Sequence, residues 1–231
     1  MDSPDIQSTQ KLHLGAAYYP EHWQEERWAE DIRLMREAGL TVVRMGEFAW
    51  STFEPADGDF HFEWMDRVIA MLAEAGIVSV LGTPTAAPPA WLTQSHAETL
   101  AVEENGLRAQ HGNRCHYCVN SPVYHHYVKR IVSQMAKHFG SNPNVIGWQI
   151  DNEFNRVCYC DTCRKAFQTF LAEKYLTLDN LNQRWTTAYW SQTYSDWSQI
   201  PIPIGHHNPG LMLEFKRFIT QSYKNFQKLQ L

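Results

Sequence analysis

The chain has 231 residues, 44% of them apolar, and a formal net charge of −5. This composition supports one sizeable hydrophobic core and excludes an intrinsically disordered protein. Acidic and basic residues are interspersed, which argues against nucleic-acid binding. No apolar run reaches the roughly 18 residues that a membrane-spanning helix needs. Residues 1–11 are polar and lack the pattern of a signal peptide, so we interpret them as a flexible leader and expect a cytoplasmic protein.

Apolar runs alternate with amphipathic stretches along residues 12–231. Two helix patterns in succession end at a glycine, Gly39 and Gly76, and each glycine leads into an apolar strand pattern. We predict buried strands at 14–19, 41–45, 77–81 and 145–150, and helices at 24–38, 64–75, 123–139, 163–175 and 211–231. Strands that alternate with helices indicate a parallel sheet with helical crossovers.

The fold class is therefore α/β, and the pattern is typical of a TIM (β/α)8 barrel. Only four strands are predicted, because Pro201 and Pro203 interrupt the one later apolar run. We interpret residues 12–231 as the N-terminal portion of a barrel, roughly its first four βα units. Such a half-barrel should expose the edges of its first and last strands and its inner face.

Three polar residues, Asp151, Asn152 and Glu153, come directly after the fourth predicted strand. Reactive side chains of parallel α/β barrels lie where strands end. We expect Glu153 to face a partly shielded cleft, where burial raises the pKa of a carboxyl group that donates a proton to a leaving oxygen. The alternative is that the three residues only cap a following helix. Position at the strand end favours the catalytic interpretation.

The cysteines form a second candidate site. Cys158, Cys160 and Cys163 are close enough in sequence to bind one ion, and Zn²⁺ prefers four ligands in a tetrahedron. Cys115 and Cys118 are both available as the fourth ligand. A site with four thiolates is closed, so the zinc would be structural and would clamp the loop after strand three to the loop after strand four. The alternative is a set of unrelated buried thiols.

Four separated motifs resemble the family 42 glycoside hydrolases, the microbial β-galactosidases. They are GAAYYPEHW at 15–23, RMGEFAWS at 44–51, HYCVNSP at 116–122 and QIDNE at 149–153. The resemblance covers nearly the whole chain after residue 12. It implies a TIM-barrel catalytic domain and retaining hydrolysis of terminal, non-reducing β-D-galactose residues.

The resemblance also implies roles for individual residues. Glu153 matches the general acid/base, Asn152 its sugar-binding partner, and Arg114 an arginine that contacts galactose. One structural zinc per chain is implied at Cys118, Cys158, Cys160 and Cys163, which leaves Cys115 as a spare thiol. Family members are often trimers, so a homo-oligomer is implied. The sequence departs from the family in one respect: the nucleophilic glutamate is expected beyond the end of this chain.

Aromatic and acidic residues near the predicted strand ends are further candidates. Glu47, Trp50 and Trp91 are candidates to line a sugar cleft, although we favour an ion pair with Arg44 for Glu47. Adjacent histidines on a helix diverge, so we interpret two pairs as surface residues: His125–His126 and His206–His207.

Three functional hypotheses follow. The first is a β-galactosidase of which this chain is the N-terminal portion. The second is an inactive, zinc-stabilised half-barrel that at most binds sugar. The third is a zinc hydrolase, which we disfavour because four thiolates leave no position for a water molecule on the metal.

Overall fold

The computed structural model describes residues 12–205 and 207–231. The predicted leader, residues 1–11, and His206 lie outside the described residues. The strands are β1 Gly15–Ala17, β2 Val42–Met45, β3 Val78–Gly82 and β4 Val145–Gln149. The α-helices are α1 Glu25–Glu37, α2 Trp50–Phe53, α3 Glu63–Glu74, α4 Ala90–Ser95, α5 Pro122–Phe139, α6 Asp161–Tyr175, α7 Leu178–Trp185 and α8 Pro209–Leu229.

The four strands form one parallel sheet in the order β1-β2-β3-β4. Because all three pairings are parallel, each connection is a crossover, and helices α1, α3 and α5 make these crossovers. The register shifts between β3 and β4, where Ser79 pairs with Val145 and Val80 pairs with Gly147. Ile146 is the extra residue, and it is 50% exposed. The predicted α/β architecture of four βα units is confirmed.

Glycines end the first two crossover helices as predicted. Gly39 and Gly76 both have φ of +78°, a left-handed conformation that side chains with a Cβ atom disfavour. Each glycine turns the chain directly into the next strand, so the strand returns onto the same helix. The sequence pattern located these turns because the requirement is local.

The main core lies between one face of the sheet and the crossover helices. Alternate residues of β2, Val43 and Met45, are buried there, as are Leu72 of α3 and Ile131 of α5. The helices contribute apolar residues three or four positions apart, which form a stripe along one side of each helix. These stripes cover the sheet and fix the positions of the strand ends.

The opposite face of the sheet is only partly covered. All three residues of β1 are exposed and no residue of β4 is buried, so the prediction of buried strands is wrong for the first and the last strand of the described structure. The reason is that β1 pairs with β2 alone and carries only glycine and alanine side chains. The exposed edge and inner face agree with the expectation for a half-barrel.

A second hydrophobic cluster joins α6, α7 and α8 to the buried cysteines. Phe167, Leu181, Trp185 and Leu211 form its centre. Helix α7 lies between the predicted helices 163–175 and 211–231, where no element was predicted, and its N-cap Thr177 accepts a hydrogen bond from the Asn180 backbone amide at 3.2 Å. None of the helices in the described part of the chain is long and apolar enough to cross a membrane.

Candidate active site and metal centre

The segment after β4 adopts an unusual backbone conformation. Asp151 and Glu153 have φ of +56° and +52°, in the left-handed region that costs residues with a Cβ atom free energy. No helix follows until α6, whose N-cap is Cys160. The alternative that Asp151, Asn152 and Glu153 only cap a helix is therefore wrong. Backbone strain of this kind is typical of functional segments.

The buried side chain of Asp151 anchors this segment to the rest of the fold. Its carboxylate is buried and accepts hydrogen bonds from Tyr117 Oη at 2.9 Å and Thr85 Oγ1 at 2.6 Å. Its backbone N–H donates to Thr83 Oγ1 at 2.7 Å. Burial raises the pKa of Asp151, and the hydrogen bonds to its carboxylate oppose that rise. Gln230 near the end of α8 accepts a hydrogen bond from Thr83 Oγ1 at 2.6 Å, and its Oε1 lies 3.1 Å from Thr85 Oγ1, so four chain segments meet around this carboxylate.

Glu153 itself is open to solvent. Its carboxylate Oε2 lies 2.9 Å from Arg114 Nη2, and the two side chains are 53% and 48% exposed. The expectation of a shielded carboxylate is wrong for the described residues, because they supply walls on one side of the cleft only. An ion pair this exposed contributes about 0–1 kcal/mol to folding stability, so stability alone does not explain it.

A cleft of about 480 Å³ opens at this ion pair. Arg114, Cys115 and Glu153 line one part of it, and Arg156 and Glu103, which form a second ion pair, line another. Charged groups of both signs therefore face a space of the size that binds small ligands.

Asn152 lies between the two strained residues, and its side-chain amide is held through the oxygen. Gln149 Nε2 donates to Asn152 Oδ1 at 3.3 Å and to the Asp151 carbonyl at 2.7 Å. Cys115 Sγ donates to the Asn152 carbonyl at 3.2 Å. Asn152 Nδ2 is buried and has no hydrogen-bond acceptor among the described residues. A buried hydrogen-bond donor without an acceptor costs about 1–3 kcal/mol of folding free energy. We therefore expect a group outside the described residues to supply an acceptor for this nitrogen.

The remaining acidic and aromatic candidates separate into two groups. Glu47 pairs with Arg44, whose Nη2 lies 2.6 Å from Glu47 Oε1, so the ion-pair interpretation is confirmed. Trp50 is fully buried in the main core, and Trp91 donates its indole N–H to the Glu54 carbonyl at 2.8 Å and packs against α5. Neither tryptophan lines the cleft that contains Glu153.

The histidine pairs are only partly as predicted. His126 and His207 are exposed, whereas His206 lies outside the described residues. His125 is half-buried, and its Nε2 lies 2.6 Å from the Val119 carbonyl, so its interpretation as a surface residue is wrong. It faces inward because helix α5 buries the side of its first turn that approaches α8.

Four of the five cysteines converge into one cluster with the geometry of a metal site. The Sγ atoms of Cys118, Cys158, Cys160 and Cys163 are buried and all lie within 4.8 Å of one another. Cys118 Sγ is 3.4 Å from Cys163 Sγ and 3.7 Å from Cys160 Sγ. Sulfur atoms about 2.3 Å from a tetrahedral ion are separated by about 3.8 Å, so the cluster fits a metal such as Zn²⁺.

Backbone and side-chain N–H groups point at the cluster sulfurs. Val102 N donates to Cys158 Sγ at 3.3 Å, and Asn120 Nδ2 donates to Cys163 Sγ at 3.4 Å. Such donors favour thiolates over thiols and orient metal ligands. Of the two cysteines that were candidates for the fourth position, Cys118 belongs to the cluster and Cys115 does not.

Residues 114–118 connect the cluster to the candidate active site. This short segment contacts the chain after β4 in a regular order: Arg114 with Glu153, Cys115 with Asn152, Tyr117 with Asp151, and Cys118 with Cys160 and Cys163. A metal bound at the cluster would hold the two segments together at one end, with the Arg114–Glu153 ion pair at the other.

Sequence reasoning missed several residues that build the site. Tyr117 and Gln149 stand inside the family motifs, so their position gave a signal that we did not use. Thr83, Thr85 and Gln230 carry no local signal, because hydroxyl and amide side chains are common at strand and helix ends and their partners lie far away in sequence.

Known proteins match the chain over nearly all of its length. A family model for glycoside hydrolase family 42, described as beta-galactosidase, matches residues 17–231. A beta-galactosidase from Thermus thermophilus is 45% identical over 224 residues, which cover 94% of this chain and 35% of that protein. The chain spans about a third of the length of the curated relatives that it matches.

Solved structures give the same match. The crystal structure of a beta-galactosidase from the psychrophilic Marinomonas ef1 matches with a TM-score of 0.91 at 40% sequence identity. The match covers 95% of this chain and 34% of the Marinomonas chain. The cold-adapted enzyme from Rahnella sp. R3 has a TM-score of 0.92 at 39% identity, over 96% of this chain and 34% of its own. The chain belongs to glycoside hydrolase family 42, the beta-galactosidase family.

Proposed function

We propose that this chain supplies the acid/base half of a β-galactosidase site that hydrolyses terminal, non-reducing β-D-galactose residues with retention of configuration. The observation that carries the proposal is the convergence of Arg114, Asn152 and Glu153 at the carboxyl end of β4. Membership of family 42 and the names of the relatives support galactosides as the substrate class.

Glu153 is the general acid in this proposal. In the first step it donates its proton to the glycosidic oxygen while a nucleophilic carboxylate bonds to the anomeric carbon and the bond between that carbon and the oxygen breaks. In the second step it removes a proton from the water that attacks the anomeric carbon and displaces the nucleophilic carboxylate. Arg114 neutralises the carboxylate that remains and binds a sugar hydroxyl. Asn152 donates a hydrogen bond to the hydroxyl beside the anomeric carbon, a bond that strengthens in the transition state.

A retaining enzyme also needs a nucleophilic carboxylate about 5 Å from the acid/base. Asp151 is unsuited to this role, because its carboxylate is buried and occupied by Tyr117 and Thr85. Glu103 already pairs with Arg156. We propose that the nucleophile comes from a part of the protein outside residues 1–231.

We propose Zn²⁺ as the ion of the cysteine cluster, with a structural role. Four protein thiolates complete its coordination and leave no position for water, so the metal would not take part in hydrolysis. It would hold residues 114–118 against the segment that carries Glu153.

The test replaces the proposed acid in the complete gene product that carries this sequence. Glu153→Gln should abolish turnover of galactosides with poor leaving groups and reduce turnover much less for activated aryl galactosides, whose leaving groups need no proton. Azide should restore turnover of activated substrates and form a β-galactosyl azide, which also reports retention. Glu98→Gln, at an exposed glutamate, is the matched control. Equal losses for both leaving-group classes would contradict the assignment.

A second candidate is a half-barrel that binds sugar without hydrolysing it. The exposed strand β1 and the open inner face of the sheet favour it for residues 1–231 taken alone. We expect the purified chain 1–231 to show no measurable hydrolysis of an aryl β-galactoside. Turnover by that chain which disappears in Glu153→Gln would show that residues 1–231 contain a nucleophile.

A further inference from the structure

A continuous series of hydrogen bonds crosses the carboxyl ends of three strands and stops at Asn152. After β1, Tyr19 Oη donates to Glu47 Oε1 at 3.0 Å. Arg44 of β2 contacts the same oxygen through Nη2 at 2.6 Å and donates from Nη1 to Gln149 Oε1 at 2.8 Å. Gln149, the last residue of β4, then donates from Nε2 to Asn152 Oδ1 at 3.3 Å.

The donor-to-acceptor direction of these hydrogen bonds is determined by Arg44. A guanidinium group can only donate hydrogen bonds, so the Gln149 atom that meets Arg44 Nη1 must be its oxygen. The Gln149 amide nitrogen therefore faces Asn152, and its two N–H groups meet the Asp151 carbonyl and Asn152 Oδ1. In turn, the Asn152 oxygen is occupied and its nitrogen is left as the free end of the amide. Glu47 keeps Arg44 in place, because that glutamate is fully buried and has no other cation beside it in the described structure.

The free end of Asn152 needs an acceptor. Its Nδ2 is buried and has no partner among residues 12–205 and 207–231. Asn152 does not itself line the cleft, but it stands directly before Glu153 in the chain and is hydrogen-bonded to Cys115, and both of those residues line the cleft. A ligand oxygen that reaches Nδ2 from this cleft would remove the cost of an unpaired donor.

We propose that Gln149, oriented by Arg44, is a positioning residue that holds the Asn152 amide with its NH₂ group toward the substrate. The site thereby selects galactosides that carry a hydroxyl oxygen at the carbon next to the anomeric carbon. This inference rests on the proposed function and deepens it. Gln149 acts through Asn152 and does not touch the substrate itself.

A purely structural role for Gln149 makes a different prediction. If Gln149 only stabilised the end of β4, its loss would lower activity toward all galactosides by a similar factor. If it orients Asn152, its loss lowers activity toward substrates with a 2-hydroxyl and has much less effect on substrates without one. The ratio of kcat/KM for an aryl β-galactoside to kcat/KM for its 2-deoxy analogue separates the two roles.

The experiment uses the complete gene product that carries this sequence and four versions of it: wild type, Gln149→Met, Asn152→Ala and the double variant. We expect Gln149→Met to lower the ratio about tenfold, the size of one lost hydrogen bond. In the Asn152→Ala background, Gln149→Met should not change the ratio further, because the two residues act as a unit. Arg44→Met should lower the ratio in the same direction.

Gln168→Met is the matched control. Gln168 is also part-buried, and its amide nitrogen donates to backbone carbonyls of Ser198 and Ile200 at 3.1 and 2.8 Å, remote from the cleft. It should leave the ratio unchanged even if it lowers the melting temperature. An unchanged ratio in Gln149→Met, or independent effects of Gln149→Met and Asn152→Ala, would overturn the inference.

A binding measurement keeps the inference testable without turnover. Calorimetric titration with D-galactose and 2-deoxy-D-galactose should give a preference for galactose that Gln149→Met removes. A wild-type protein that hydrolyses no galactoside, but binds galactose with a preference that Gln149→Met removes, would overturn the proposed function and leave the positioning role supported. A wild-type protein that hydrolyses galactosides without any such preference would overturn the positioning role alone.

Discussion

Arg114 Nη2 lies 2.9 Å from Glu153 Oε2, and the two residues come from loops that follow different strands. Both side chains are about half exposed, so water screens their attraction and the pair contributes little to the free energy of unfolding. Stabilising the fold therefore does not explain the pair, and the cleft beside it indicates a role in ligand binding.

We expect Arg114→Met to separate activity from stability. The melting temperature should change little, whereas kcat/KM for an aryl β-galactoside should fall about 10- to 100-fold, the range for loss of a charged hydrogen bond to the substrate. Arg164→Met is the control, because Arg164 forms a similarly exposed ion pair with Asp161 at 2.9 Å. Steady-state kinetics and thermal unfolding of both variants check this. A large drop in melting temperature with unchanged kinetics would contradict it.

The cysteine cluster predicts metal content. Wild-type chain should bind about one zinc per chain, and Cys160→Ser should lose the ion because a closed site needs all four thiolates. Cys115→Ser should retain it, since Cys115 Sγ hydrogen-bonds the Asn152 carbonyl instead of joining the cluster. Elemental analysis of the three purified proteins measures this. Retention of metal by Cys160→Ser, or its loss from Cys115→Ser, would refute the assignment of ligands.

Two glycines in neighbouring strands, Gly82 and Gly147, should differ in the stability that they lose when a methyl group is added. A Cβ on Gly82 would lie 2.5 Å from Glu47 Cβ, so Gly82→Ala must displace Glu47 and should cost about 1–3 kcal/mol of folding stability. A Cβ on Gly147 would meet nothing closer than Val80 Cγ2 at 3.9 Å. Gly147→Ala should therefore be nearly neutral. Chemical unfolding of both variants compares them, and equal stabilities would contradict the close approach at Gly82.

Glu21 predicts a dependence of stability on pH. Burial raises the pKa of Glu21 from 4.5 to about 7; a hydrogen bond from its own backbone N–H opposes the rise, and the charge of Glu47 adds to it. The folded chain thus binds a proton that the unfolded chain releases between about pH 4.5 and 7. The contribution of Glu21 to folding stability is therefore greatest below this window and is lost as the pH rises through it.

The matched variants for this effect are Glu21→Gln and Glu26→Gln. Chain 1–231 with Glu21→Gln should equal the wild type at pH 4 and exceed its stability by about 3 kcal/mol at pH 8, since the neutral amide has no charge to bury. Glu26 is exposed on α1, so its replacement should preserve the wild-type pH profile. Urea unfolding at several pH values measures both. A difference in stability between Glu21→Gln and the wild type that stays constant from pH 4 to 8 would contradict the burial of a charged Glu21.

The sequence by itself determined the local features of this protein. Helices that end at Gly39 and Gly76, the strand before Asp151 and the close spacing of Cys158, Cys160 and Cys163 were all predicted, because each depends on residues a few positions apart. The spacing of apolar residues indicates which side of a helix or strand is buried. A turn with a left-handed backbone conformation favours glycine at that one position, so the sequence shows it directly. The order of four βα units followed from these signals.

Only the tertiary structure decided which distant residues meet. From spacing alone, Cys115 and Cys118 were equal candidates for the fourth sulfur, and the fold brings Cys118 to the cluster and Cys115 to Asn152. The exposure of Glu153 and the series from Arg44 through Gln149 to Asn152 were likewise not predicted. The physical reason is that hydrogen bonds and ion pairs depend on distances of about 3 Å between side chains from different strands, and local sequence patterns contain no information about such distances.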